Sequence, residues 1–410
     1  YIQFTAKDLS EGVISVRNRY DFTDLAEYDF RWVLMKDGCK EAEGTFDLSL
    51  SPHRQKDIKL SIPALSKEGE YFLNLYAYVR KATELLPAGF EVACEQLELG
   101  GKSFFDNLPA PEGQLICKQE GDNFVFVSGN VSGKIDLKKG MLADYRINGK
   151  QPFVRGEYPE PLFWRAPTDA DFGNKMPQVS GVWRTAHVNR EVQKVTVGDK
   201  TECGVPIKVE MKLKDIQVPY VIEYYILNNG AVRITASMDM TGTSLPELPR
   251  FGMSMVLQKE YDNLDYYGRG PLENYADRQS SSFVGRYASK VKDQFYPYIR
   301  PQENGNKTDV RWLTLLDAKG IGIQITGIQP IAFSALHSSV EDLDPGLTKK
   351  MLHTIDVFPR KEIYLNVDLK QRGLGGDNTW GQFPYKSYRL HDKQYSYSFV
   401  LELVDKKHRN

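Results

Sequence analysis

The 410-residue sequence predicts an almost entirely β protein, and three observations carry that expectation. Apolar and polar residues alternate with the period of a half-buried strand, not with that of a helix. Aromatic residues reach 12%, with Tyr 23 and Phe 20, the side chains that pack well on a pleated surface. No stretch alternates strand with helix in the manner that builds a parallel barrel or a doubly wound sheet.

The chain is longer than one core usually supports, so two or three domains are expected. Tyr28, Phe30, Trp32 and Leu34 alternate in one early segment, and Tyr71, Leu73, Leu75, Ala77 and Val79 in another. Each is bounded by turn residues, Asp37-Gly38 and Glu68-Gly69. Residues 1–98 therefore fit an immunoglobulin-like β-sandwich, although without a convincing Cys-Trp-Cys core. Gly100-Gly101-Lys102 through Leu108-Pro109-Ala110-Pro111-Glu112-Gly113 breaks the periodicity and marks a linker at 99–118. Residues 119–410 resume the rhythm. Phe124-Val125-Phe126, the turns at Asn148-Gly149, Asn228-Asn229-Gly230 and Ala318-Lys319-Gly320, and the closing run Tyr395, Tyr397, Phe399, Leu401, Leu403 read as one large sandwich.

Composition excludes several function classes. Lys+Arg 53 against Asp+Glu 54 gives a net charge of -1 without long blocks of either sign, so neither nucleic acid nor an anionic membrane is an expected partner. A neutral ligand such as a sugar suits that balance. No apolar run is long enough to span a bilayer, and the chain reads as soluble. The 4 cysteines (Cys39, Cys94, Cys117, Cys203) are scattered without a CxxC pair, which favours free thiols over a disulfide framework or a zinc site. Beginning at Tyr1 with no targeting signal, the chain reads as an excised piece.

Polar residues concentrate in a few bent loops. Phe163-Trp164-Arg165-Ala166-Pro167-Thr168-Asp169-Ala170-Asp171-Phe172-Gly173 joins aromatics, an arginine and two acids. Gly173 stands where a third calcium ligand would be needed, so no metal is expected there, and a fork of Arg165 onto a carboxylate of the loop is the plainer reading. Tyr267 to Arg278, containing Glu273, Asn274, Asp277 and Arg278, and Tyr298 to Gly305, containing Glu303 and Asn304, have the same character. Such residues serve either sugar hydroxyls or loop struts. Gly373-Leu374-Gly375-Gly376-Asp377-Asn378-Thr379-Trp380 lacks the Lys-Ser/Thr ending of a phosphate cradle and presents one large indole.

Four segments stand in the order Arg165–Asp171, Gly270–Arg278, Pro301–Gly305 and Gly373–Trp380. In that order they resemble the loops of the last domain of the large bacterial β-galactosidases of glycoside hydrolase family two. Residues 1–98 resemble, more weakly, the immunoglobulin-like domain that precedes it. The resemblance implies an immunoglobulin-like sandwich followed by a galactose-mutarotase-like β-supersandwich. It also implies a parent enzyme that hydrolyses terminal β-D-galactose residues with retention, using two glutamates of a central barrel with carboxylates about 5 Å apart. No counterpart of those glutamates is found here, so no catalytic residue is expected in this chain and the isolated chain should be inactive.

Trp380 corresponds to a tryptophan that reaches into the neighbouring active site and stacks on substrate, with Asp377 and Asn378 supporting its loop. Relatives often carry a second Asp where Asn378 stands. Arg165, Asp169, Asp171, Glu273, Asn274, Asp277, Arg278, Glu303 and Asn304 are expected as structural loop residues. No cofactor is expected in the chain, since the family's magnesium and sodium belong to the barrel. The implied partners are the barrel and N-terminal domains of the same parent and a β-galactoside; a homo-oligomeric parent and a bacterial cytoplasmic or periplasmic setting are both open. A second reading, an aldose epimerase or free sugar-binding module, would need a histidine base, for which His187, His337 and His353 are available. A third is a structural array of β domains.

Overall fold

The computed structural model describes residues 1–108, 112–154, 158–378 and 380–406. It divides into two compact units, Tyr1–Leu108 with Ser280–Arg286, and Pro109–Gln279 with Tyr287–Asn410. Both are built of antiparallel strands, so the all-β expectation holds.

The first unit contains β1 (Ile2–Asp8), β2 (Val13–Asn18), β3 (Tyr28–Lys36), β4 (Cys39–Phe46), β5 (Gln55–Lys59), β6 (Glu70–Val79) and β7 (Glu91–Gly101). They form a three-stranded sheet β1-β2-β5 and a four-stranded sheet β4-β3-β6-β7. Register explains the alternation seen in the sequence: Phe30 faces Ala77, Trp32 faces Leu75 and Leu34 faces Leu73. All six are buried, and they share one core with Ile2, Phe4, Ile14 and Val16 of the other sheet. At the β3–β4 turn, Asp37 and Gly38 both have positive φ (48° and 76°), the conformation a tight hairpin requires. Far along the chain, Val284 joins this unit by exchanging two hydrogen bonds with the Gln96 side chain (3.0 and 2.7 Å).

The second unit opens with β8 (Ile116–Glu120), β9 (Asn123–Ser128), β10 (Val131–Asp136) and β11 (Met141–Ile147), which form one sheet. Both β7 and β8 thus reach into the 99–118 stretch read as linker. There follow β12 (Glu160–Leu162), β13 (Arg190–Val197), β14 (Gly204–Leu213), β15 (Val218–Leu227), β16 (Val232–Asp239), β17 (Arg250–Leu257), β18 (Asn263–Gly270), β19 (Phe283–Lys290), whose residues up to Arg286 belong to the first unit, β20 (Lys307–Leu316), β21 (Ile321–Leu336), β22 (Ile363–Gln371) and β23 (Gln394–Asp405). Nine of these run in the order β12-β17-β22-β21-β23-β16-β15-β14-β13, with β20 on β21 and β18 on β20. A single core joins the two sheets, from Phe126 and Tyr145 on one side to Ile222, Ile234, Phe399 and Leu401 on the other.

Register also gathers the polar loops. Arg250 at the start of β17 faces Gln371 at the end of β22, and Leu162 at the end of β12 faces Gly252, so the loops leaving β12 and β22 emerge at one end of the sheet. The loop entering β20 is held to them by Gln371, whose Nε2 donates to Glu303 and Asn306.

Candidate functional site: four loops clamped by buried ion pairs

At that end, Arg165 is fully buried and forks onto Asp171, with Nε 3.2 Å from Oδ2 and Nη2 2.9 Å from Oδ1. The same guanidinium donates to the carbonyls of Arg372 and Gly373 (2.9 Å for Gly373), tying the first loop to the last. Asp171 is equally buried. Its carboxylate also accepts from Arg372 Nη1 and from the Thr168 N–H (3.0 Å), which closes a capping box at the start of the short helix α1 (Asp169–Gly173). Arg372 continues the chain of charges to Glu247, which also pairs with Arg389. A fork onto a buried carboxylate satisfies donors in a fixed plane, so these pairs set loop geometry more than they add net stability. Asp169, by contrast, is exposed and pairs with Lys349.

The second and third loops are joined by Glu273. One oxygen accepts from Arg278 and from the Tyr298 hydroxyl, and the other accepts the Gly305 N–H at 2.8 Å. Burial together with the Glu273 contact pushes the Tyr298 phenol up to about 12. Asn274 is fully buried and fully bonded: Nδ2 donates to the carbonyls of Arg269 and Leu272, and Oδ1 accepts from the Thr308 N–H and hydroxyl (2.9 and 2.6 Å). Asn304 exchanges hydrogen bonds with the Tyr296 backbone. Asp277 accepts the Gly375 N–H at 3.1 Å, linking the second loop to the fourth. Glu303 accepts from Arg250 and from Gln371 Nε2 (3.0 Å), and its own N–H donates to Ala166 O (3.1 Å), linking the third loop to the first.

The fourth loop then carries Trp380 away from this frame. Its side chain is 88% exposed, while Trp164 and Trp183 are buried. Gly373 and Gly376 are required by close approach, not by an unusual φ: a Cβ would stand 2.6 Å from Asp277 Oδ2 and 2.3 Å from Phe383 O respectively. Asp377 accepts from the Tyr385 hydroxyl. Asn378 holds the turn, its Oδ1 accepting the Trp380 N–H at 2.9 Å. An amide oxygen fills the acceptor role that a carboxylate would, so the turn keeps this bond with Asn at the position. Thr379 lies outside the described residues.

All four segments line one recess of about 190 Å3, among them Thr168, Arg278, Glu303 and Leu374. The three histidines do not meet there. His187 is largely buried and held below its usual range by desolvation, His337 Nδ1 bonds Glu362 O (3.0 Å), and His353 lies at the surface 3.8 Å from Asp356. Among the described residues, no three His, Cys, Asp or Glu side chains are grouped to hold a metal ion.

The residues that reading by sequence missed are Glu247, Arg250, Asp368, Gln371 and Arg372. Arg250 opens an otherwise apolar strand, and a lone charge there is the signal that would have found it.

Residues 127–401 match the family model described as beta galactosidase small chain, and residues 14–100 match domain 4 of beta-galactosidase. The chain is 32% identical over 405 residues to a β-galactosidase of Priestia megaterium, covering 98% of this chain and 38% of that protein. It is 27% identical over 399 residues to one of Streptococcus thermophilus, covering 96% and again 38%. The chain thus spans about two fifths of the length of these curated relatives. Among solved structures, a galactose 1-epimerase from Lactobacillus acidophilus NCFM covers 72% of this chain and 99% of its own at 8% identity, with a TM-score of 0.34, too low to bear on chemistry. With the small-chain match running over more than half of its residues, the chain belongs to the β-galactosidase small-chain family.

Proposed function

We propose that this chain is the non-catalytic C-terminal part of a β-galactosidase that hydrolyses terminal β-galactose residues with retention, and that it completes the sugar site of the catalytic barrel through Trp380. The observation that carries this reading is the contrast within one loop. Its base is locked by Arg165, Asp277 and the buried ion pairs, while its tip presents an indole that is 88% exposed. An indole held out on a stem braced by buried ion pairs is suited to stack on the C–H face of a sugar. Glu273, Asn274, Glu303 and Asn304 then act as struts, since their side-chain oxygens are already engaged within the protein. Asp377 and Asn378 support the tip.

The test is Trp380→Ala in the full-length enzyme. A stacking platform contributes on the order of 1–3 kcal/mol, so substrate affinity should fall roughly 5-fold to 150-fold with the fold intact. An unchanged KM and kcat would remove Trp380 from the site.

A further inference from the structure

The stretch from Leu347 to Phe358 carries five large apolar side chains that the second unit leaves in water. Met351, Ile355 and Phe358 are 81, 83 and 82% exposed, and Leu347 and Leu352 are 52 and 37% exposed. The backbone is held in this pose from beneath. Thr354 donates its hydroxyl to Tyr298 O, Arg300 Nη1 donates to Lys350 O (3.2 Å), and Gln178 Nε2 donates to Leu347 O (2.5 Å). Val357 alone of the apolar residues turns inward, against Ala166, Leu336 and Leu343. Ile299, 84% exposed, lies between the anchors Tyr298 and Arg300 and so joins the same surface. At about 180 Å2 for a fully exposed large apolar side chain, the six together present on the order of 700 Å2. The largest apolar patch on a typical monomer is about 300–600 Å2, whereas one side of a stable interface is about 800 Å2. This surface has the scale of an interface.

Its position says which partner fits. The short helix α1 stands between the apolar surface and the Trp380 loop. On one side, Lys349 pairs with Asp169 (2.5 Å) and lies over the Phe172 ring (5.8 Å). On the other, Asn174 Nδ2 donates to Gln382 O (3.3 Å), and a Cβ on Gly381, the residue after Trp380, would stand 3.9 Å from Gly173 O. Helix α1 has 5 residues, a rise of about 7 Å, so the surface borders the loop that presents the indole. A body that receives Trp380 is thereby brought against Ile355 and Phe358. The curated relatives have about three fifths of their length outside the 38% that this chain covers, enough to supply such a body.

We propose that Ile299 and the Leu347–Phe358 stretch are the face on which the catalytic barrel of the parent enzyme docks. The proposal rests on reading the chain as part of a longer β-galactosidase, and it adds the surface on which the two parts meet. The test labels Ile355→Cys, with Met351→Cys as a second variant, with a maleimide in the 410-residue chain and in the full-length enzyme. The modified peptides are followed by mass spectrometry, which keeps the exposed Cys39 and Cys203 apart from the reading. In the isolated chain both positions should react freely, at one rate from about 1 to 100 μM protein. In the full-length enzyme both should react at least about 10-fold more slowly. Equal rates in the two proteins would overturn the proposal. So would protection, in either protein, that grows with its concentration, the mark of a second copy on this face. Trp380→Ala kinetics are read separately: an unchanged KM beside a protected Ile355→Cys removes Trp380 from the site and keeps the docking face, and a raised KM beside an unprotected Ile355→Cys does the reverse.

Discussion

Arg250, Glu303 and Asp368 form a buried cluster in which one guanidinium faces two carboxylates. Arg250 Nε lies 3.2 Å from Asp368 Oδ2, near enough to attract but not aligned as a hydrogen bond. Desolvation is the larger effect and, with the Glu303 charge nearby, pushes the Asp368 carboxyl up to about 7, so near neutrality it is half protonated. The sign follows from linkage: a carboxyl raised in the folded state stabilises it fully below the unfolded value of 3.8, and that contribution is lost as pH rises through 7. Asp368→Asn keeps the shape without the titration. Thermal melts at about pH 5 and about pH 8.5 should show wild type losing on the order of 1–3 kcal/mol more than the variant over that interval. Equal slopes would mean that Asp368 is ionised throughout. Lys307 is the mirror case, an ammonium with one long bond to Gly305 O (3.4 Å) that burial pulls down to about 8.

At the scale of the elements, the strands were legible because alternation and turn chemistry agree. Tyr28 to Leu34 and Tyr71 to Val79 became β3 and β6, and Asp37-Gly38 became the tight turn after β3. The loops were legible as loops, and Arg165 as a fork onto a carboxylate, because that much is fixed within eleven residues. What the sequence could not display was which distant groups complete each loop. Glu247, Arg250 and Arg372 are brought in by sheet register, as when Arg250 faces Gln371 across β17 and β22. The same register makes Asp171 the common acceptor of two buried guanidinium groups, those of Arg165 and Arg372. Asp171→Asn would leave both with a neutral partner at a fully buried site, and breaking such a pair costs about 3–5 kcal/mol. Chemical denaturation should show a loss of that order, whereas Asp169→Asn, at an exposed position, should change stability by less than about 0.5 kcal/mol. Comparable losses for the two would remove the distinction between clamp and surface pair.

For the whole molecule, the proposed function divides labour between this chain and a catalytic barrel. Retaining hydrolysis needs an acid and a nucleophile about 5 Å apart across the bond. Asp171, Glu273, Asp277 and Glu303 are instead tied to arginines and backbone N–H groups. The purified 410-residue chain should therefore show no turnover of a chromogenic β-galactoside, and turnover that vanished on changing one of its own carboxylates would contradict this division. Acrylamide quenching of the fluorescence difference between wild type and Trp380→Phe tests whether the Trp380 indole is open in this chain and becomes a wall of the sugar site in the full enzyme. In the isolated chain the quencher should reach Trp380 freely, with or without sugar. In the full-length enzyme a bound β-galactoside analogue should shield the indole and lower its quenching at least about 3-fold; equal quenching with and without the analogue would contradict the account.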